Sequence, residues 1–173
     1  IPVISLGNGE LLPESNLIFP EAVTPPVEQS GGLAFSGQSD LLFANFEKEG
    51  RIGIYKIGSD DPPQVFIDLS EWISPVGDFV PRAEGLRVDQ QKRLLVAEAG
   101  TGKLLRISPS ANKLEVLADS YDGYRFGEVK DLVIAPSGDL FVSSPHSGTI
   151  YRIRPDIGYV GILNDDLVRV EGL

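Results

Sequence analysis

A unit of four short strands recurs along this 173-residue chain and constrains its fold more than any other feature. The clearest copy begins at Asp131, where β-branched and aromatic runs alternate with turns rich in proline, glycine and serine. Such runs predict strands, and the short turns between them predict antiparallel neighbours. The unit is therefore predicted to be one four-stranded antiparallel meander.

Copies of this unit open alike, on a leucine that follows a glycine or an aspartate. The four openings are Gly32-Leu33, Gly85-Leu86, Asp131-Leu132 and Gly172-Leu173. A spacing of roughly 40–50 residues with four strands in each unit is typical of β-propeller blades. We therefore predict an all-β fold, a β-propeller of four-stranded antiparallel blades, with about three blades plus the start of a fourth.

The repeats divide the chain into predicted segments. Residues 1–30 are an irregular lead-in, in which Ile1–Leu6 is a candidate for a closing strand. Blade 1 is predicted over 31–82, blade 2 over 83–130 and blade 3 over 131–169, and residues 170–173 start the next blade. Both faces of a blade are apolar and need neighbours. We expect the ring to be completed by blades outside this sequence, by another chain, or by a second copy in a homodimer, for which three blades are half of a six-bladed ring.

Composition narrows the classes of partner. The net charge of −10, with scattered basic residues, argues against a nucleic-acid partner. No apolar run approaches ~18 residues, so the sequence predicts a soluble protein without a membrane span. The chain has no cysteine and starts at Ile1 without methionine. The compartment therefore stays open, and export after removal of a targeting peptide is one reading.

Two stretches resemble a known family of propellers. These are EGLRVDQQKRLLVAEAGTGKLLRI, from Glu84, and FGEVKDLVIAPSGDLFVSSP, from Phe126. They are similar to blades of the senescence marker protein/gluconolactonase group, which is related to strictosidine synthase and paraoxonase. The resemblance implies a six-bladed ring and a hydrolase of lactones or esters. It also implies a divalent cation, usually calcium, at the mouth of the central channel.

Carried over to this chain, the resemblance implies that Glu84, Asp131 and Glu171 are metal ligands, with Glu84 or Asp131 as the catalytic base. Hard cations prefer several oxygen ligands, and blade openings converge on the channel. The match has departures. Gly31 stands where the family has a glutamate, although Glu28 is close, and Glu84 and Glu171 stand where it has asparagines. Lys130 also replaces an asparagine, so an alternative is that Lys130 pairs with Glu84 or Glu171 and takes the place of the metal.

Two functions remain open at this point. In the first, a metal polarises the carbonyl of a lactone or ester while a carboxylate activates water. In the second, the chain is a non-catalytic propeller, or half of one, used for binding or scaffolding. The single histidine, His146, lies in a polar turn and is interpreted as a solvated loop residue.

Overall fold

The fold consists of three four-stranded antiparallel sheets that follow one another along the chain, which confirms the predicted β-propeller architecture. A computed structural model describes residues 22–24, 31–37 and 39–173. The predicted closing strand Ile1–Leu6 and Glu28 lie outside the described residues. No helix in the described ranges is both long enough and apolar enough to cross a bilayer.

In each blade the strands are hydrogen-bonded in chain order, and each strand pairs antiparallel with the next. Blade 1 contains β1 (Leu33–Ser36), β2 (Asp40–Ala44), β3 (Arg51–Lys56) and β4 (Gln64–Asp68). Blade 2 contains β5 (Ala83–Val88), β6 (Leu94–Glu98), β7 (Lys103–Ile107) and β8 (Leu114–Ala118). Blade 3 contains β11 (Leu132–Ile134), β12 (Leu140–Ser144), β13 (Thr149–Arg154) and β14 (Tyr159–Asn164).

A short hairpin, β9 (Ser120–Tyr121) and β10 (Tyr124–Arg125), interrupts the connection between blades 2 and 3 and was not predicted from the sequence. Asp122 and Gly123 form its turn and both have positive φ, at 50° and 81°. Positive φ at both central residues is what a type I′ hairpin turn requires. The Asp-Gly pair between two tyrosines was therefore a hairpin signal. The connection between blades 1 and 2 contains a single 3-10 turn, Leu69–Glu71.

The core has three clusters: two lie between blades, and the third, Leu41, Phe43 and Tyr55, lies on the face of blade 1 that is turned away from blade 2. One of the first two joins blades 1 and 2 and includes Ala34, Leu42 and Leu86; the other joins blades 2 and 3 and includes Leu95 and Leu132. Alternating side chains on each strand supply the two faces, because successive residues of a strand point to opposite sides of a sheet. Blade 2 is thereby covered on both faces.

The repeat-equivalent leucines show what a neighbouring blade contributes. Leu86 and Leu132 are both 0% exposed, because each packs against the blade before it. Leu33, the same position in blade 1, is 55% exposed, and its face-mate Phe35 is 57% exposed. A leucine that is fully buried gains roughly 1.5–3 kcal/mol relative to an exposed one, so Leu33 lacks most of this contribution, whereas Leu41 and Phe43 on the same face are buried.

Close backbone approach sets how the blades meet. A Cβ added to Gly32 would lie 1.9 Å from the carbonyl oxygen of Glu84, so blade 2 can approach blade 1 only because this residue has no side chain. The innermost strands of blades 2 and 3 are joined by a hydrogen bond from the Gly85 N–H to the Lys130 carbonyl, at 2.9 Å. These contacts bring the openings of adjacent blades together at one end of the molecule.

Candidate functional site

The opening end of the blades, meaning the residues just before β5 and β11 and the turns beside them, carries a network of charged side chains. The Lys130 ammonium lies 3.3 Å from the Oε2 atom of Glu84. The other carboxylate oxygen of Glu84 lies 3.6 Å from Nε of Arg82. Glu84 is the second residue of β5, and Lys130 lies two residues before β11, so docking of blades 2 and 3 produces the pair.

Arg82 extends this network into blade 3. Its guanidinium donates to Oε1 of Glu128 at 2.7 Å, and Oε2 of Glu128 lies 3.5 Å from Nδ1 of His146. His146 is 83% exposed, which agrees with its reading as a solvated loop residue. The polar turn nevertheless places its imidazole beside a carboxylate that Arg82 orients.

Aligned on the blade openings, these residues form two rows of alternating charge. Glu84, Lys130 and Glu171 occupy one repeat position, and Arg82, Glu128 and Arg169 occupy the position two residues earlier. Each row changes sign from one blade to the next, and in each row the members from blades 2 and 3 are paired. Arg82 and Glu128 were missed at the sequence level, although the sign alternation between repeats was a signal that could have found them.

The two other predicted acidic residues are engaged separately. Asp131 accepts from the N–H of Leu132 at 2.8 Å and from the N–H of Leu173 at 3.1 Å, and an Nη of Arg87 lies 3.2 Å from it. Glu171 is exposed and accepts from Arg169 at 3.0 Å. Each of the three predicted carboxylates therefore has its own basic partner.

A divalent cation does not fit Glu84 while Lys130 is charged, because the ammonium occupies the space from which a cation would bind. In the part of the chain that the structure describes, no group of three or more histidine, cysteine, aspartate or glutamate side chains could hold a metal ion. The arrangement is that of the Lys130–Glu84 alternative. Calcium at the channel mouth, which the resemblance implies, stays a prediction.

Glu98, the last residue of β6, fixes the backbone next to this charged network. It was not identified as a site residue from the sequence. Its side chain is fully buried, and its Oε1 atom accepts from the N–H of Arg82 at 2.9 Å and from the N–H of Thr101 at 3.0 Å. The Thr101 hydroxyl donates to the second carboxylate oxygen. Glu98 therefore connects the turn after β6 to the backbone of Arg82. This contact fixes the position of the Arg82 backbone, from which the guanidinium side chain extends.

Two cavities lie at the opening end and share Glu128 and His146. The larger, which we call the entrance cavity, has a volume of about 610 Å³ and lies between the residues before β5, the turn after β6 and the residues before β11. The smaller, of about 430 Å³, is lined by Lys130, Arg169 and Glu171 beside the shared pair. A reactant at the shared wall would contact both a guanidinium or ammonium group and a carboxylate–imidazole pair.

The chain is similar in sequence to a gluconolactonase from Zymomonas mobilis, with 27% identity over 57% of this chain and 32% of that protein. Its fold is similar to a gluconolactonase from Xanthomonas campestris, with a TM-score of 0.63 and 21% identity over 79% of this chain and 47% of that one. A virginiamycin B lyase from Staphylococcus aureus shares the fold at a TM-score of 0.61 and 14% identity, over 97% of this chain and 50% of that one.

These similarities confirm the resemblance to gluconolactonases that the blade sequences carry. No family model matches the chain. The chain spans about a third of the length of the Zymomonas protein and about half of the solved structures. The likeness to the lyase, at its low identity, concerns the fold alone.

Proposed function

We propose that this chain is part of a gluconolactonase-like hydrolase that opens lactones or esters at the opening end of its blades. The observation that supports this most is the coincidence of the Arg82–Glu128–His146 group with two cavities, in a chain similar to a gluconolactonase. The sequence similarity to a gluconolactonase favours this function over the non-catalytic alternative.

Hydrolysis of a lactone needs a base for the attacking water and a cationic group for the oxygen that becomes negative. In our proposal His146, oriented by Glu128, accepts the proton of water as the water oxygen bonds to the carbonyl carbon. Arg82 or Lys130 stabilises the oxyanion. The ring C–O bond then breaks, and the imidazolium returns its proton to the departing alkoxide, so that the product is a hydroxy acid.

A competing assignment gives the role of base to Glu84 or Asp131, as the sequence predicted. Glu84 lies between Lys130 and Arg82, where its carboxylate positions both cations. Both carboxylate oxygens of Asp131 are already engaged, since one accepts from the N–H of Leu132 and the other from the N–H of Leu173.

The remaining blades of the ring are proposed to come from outside these 173 residues, either from a longer chain or from a partner such as a second copy. The half-exposed Leu33 and Phe35 on the preceding face of blade 1 support this, since their equivalents in blade 2 are covered by a neighbour. Native mass spectrometry of the protein distinguishes a closed dimer from a monomer.

Hydrolysis is tested by following the release of acid from a panel of lactones and aryl esters at constant pH. We expect His146→Gln to lower kcat by about 10²–10⁴-fold, the usual contribution of a general base, with KM little changed. Asp156→Asn, an exposed acid outside this group, is the control. An unchanged rate in His146→Gln together with a large loss in Glu84→Gln would move the base to Glu84. Absence of turnover on the whole panel would refute the proposal.

A further inference from the structure

Apolar side chains supply most of the surface of the entrance cavity, although Glu49, Asp78 and Arg125 also line it. Val76, Phe79 and Val80 form one wall, and Phe126, which is almost fully buried, forms another. Its volume of about 610 Å³ falls within the range of about 300–1,000 Å³ that small-molecule sites occupy. The cavity is therefore large enough for a drug-sized molecule and offers it mainly hydrocarbon contact.

Phe79 and Val80 are held in place although they are exposed. Phe79 is 67% exposed and Val80 is 49% exposed. The backbones of Val76 and Phe79 exchange two hydrogen bonds, at 2.9 and 3.1 Å, which close a tight turn and aim this segment at the cavity. Neighbouring exposed apolar side chains at the rim of a cavity indicate a binding surface more often than a folding requirement.

The turn after β6 packs closely against both walls. A Cβ at Gly100 would lie 1.8 Å from the carbonyl oxygen of Val80. Gly102 has a φ of +69°, and a Cβ there would lie 2.5 Å from the carbonyl oxygen of Phe126. These two glycines let the turn touch both connections at backbone distance, so the apolar walls have fixed positions relative to each other.

Three polar residues that line the cavity, Arg82, Thr101 and Glu128, already have protein partners. Arg82 contacts Glu84 and Glu128, and the Thr101 hydroxyl donates to Glu98 while Lys103 donates to Thr101 at 2.9 Å. A polyhydroxylated ring would compete with these contacts for hydrogen-bonding partners, and hydroxyl groups buried against the apolar wall without a partner are costly. A lactone or ester with an apolar substituent, by contrast, presents a single carbonyl group, which needs only one cationic hydrogen-bond donor.

We infer that the entrance cavity selects lactones or esters that bear an apolar aliphatic or aryl substituent. The substituent lies along Val76, Phe79 and Phe126, and the carbonyl lies at the Arg82 end beside His146. This inference rests on the proposed hydrolase function for the reaction, but the binding preference follows from the walls of the cavity alone.

The test compares γ-lactones of increasing alkyl length, from γ-butyrolactone to γ-dodecalactone, with glucono-1,5-lactone. We expect kcat/KM to rise about two- to fourfold for each added methylene until the cavity is filled, as burial of hydrocarbon predicts. Phe79→Ser should flatten this dependence without unfolding the protein, because Phe79 is exposed. Tyr124→Ser removes an aromatic side chain that is 79% exposed on the adjoining hairpin, and it should leave the dependence unchanged.

A binding experiment separates failure of this inference from failure of the proposed function. 3-Octylcyclopentanone has a methylene in place of the ring oxygen of γ-dodecalactone, so it keeps the ring carbonyl and the octyl chain but cannot be hydrolysed, and calorimetry measures its affinity. If no lactone is turned over but the ketone binds and Phe79→Ser weakens it about tenfold or more, the cavity inference stands and the hydrolase proposal falls. The inference is overturned if the ketone does not bind, if Phe79→Ser leaves its affinity unchanged, or if kcat/KM is independent of alkyl length or highest for glucono-1,5-lactone.

Discussion

Removal of the buried carboxylate of Glu98 tests the reasoning about the support beneath the site. The Oε1 atom of Glu98 accepts two backbone N–H groups, from Arg82 and Thr101, and the side chain is 0% exposed. Glu98→Ala leaves both N–H groups without their acceptor. Glu98→Gln can keep both, because a carbonyl oxygen placed at the Oε1 position accepts from the same two donors, and the new amide can donate to the Thr101 hydroxyl.

The expected magnitudes differ accordingly. A buried donor without a partner costs about 1–3 kcal/mol. Water can reach part of the Arg82 backbone, so we expect Glu98→Ala to lower the free energy of unfolding by about 3 kcal/mol. Glu98→Gln should lower it by less than about 1 kcal/mol, because the shape and the two main acceptor contacts are retained. A loss of about 3 kcal/mol is a large fraction of the free energy of unfolding of a typical protein, which is about 5–15 kcal/mol.

Urea unfolding, followed by the fluorescence of the single tryptophan Trp72, measures these differences. With ordinary denaturant sensitivities, Glu98→Ala should move the midpoint down by about 1–2 M. Glu115→Ala is the matched control, since this glutamate also contacts two basic side chains, Arg106 and Lys113, but on the surface of blade 2. Surface ion pairs contribute about 0–1 kcal/mol. Equal midpoints for Glu98→Ala and Glu115→Ala would refute the reasoning, as would a Gln variant no more stable than the Ala variant.

Three further predictions concern blade contact, pH and metal. Gly32→Ala places a Cβ 1.9 Å from the Glu84 carbonyl oxygen, so thermal melts should show that it destabilises the protein by about 1–3 kcal/mol. Gly172→Ala is the control and should be neutral, because a Cβ there meets nothing within 4 Å. Equal melting temperatures for the two variants would contradict this prediction. Burial tends to raise the pKa of Asp68, but hydrogen bonds from Lys48 and Ser70 outweigh it and lower the pKa from 3.8 to about 2. Asp68 therefore contributes about 2 kcal/mol to the free energy of unfolding, which is fully present above pH ~4 and is lost as the pH falls towards 2. The difference in stability between the unaltered protein and Asp68→Asn should shrink over that range of pH. A constant difference would count against this assignment. Lys130→Asn removes the ammonium beside Glu84 and supplies an amide oxygen as a possible calcium ligand. Calorimetry should show that this variant binds calcium about tenfold or more tightly than the unaltered protein does. Equal affinities would mean that Lys130 does not compete with the cation.

The local pattern of the chain was sufficient to predict its architecture. Strand alternation such as that of Arg51–Lys56 and Thr149–Arg154 is set by neighbours in sequence, because the side-chain period of a strand is two. The recurrence of the openings then required equivalent sheets placed side by side. Even the missed hairpin at Asp122-Gly123 was readable, since its turn chemistry is local.

Only part of the candidate site could be predicted from the sequence, because contacts between blades are not set by neighbours in sequence. The sequence placed Glu84, Lys130 and Asp131 at blade openings, and it offered the pairing of Lys130 with Glu84 as an alternative. Which carboxylate the ammonium contacts, and the reach of Arg82 across to Glu128, depend on how closely two blades dock.

Burial of Glu98 shows the same limit most clearly. In sequence it is the last residue of an apolar strand, and nothing there distinguishes it from an exposed terminus. Its carboxylate is enclosed because the turn after β6 folds back against the segment that enters blade 2. Periodicity and turn chemistry are short-range properties that the sequence determines by itself, whereas charge pairing and desolvation between blades arise only when distant segments pack together.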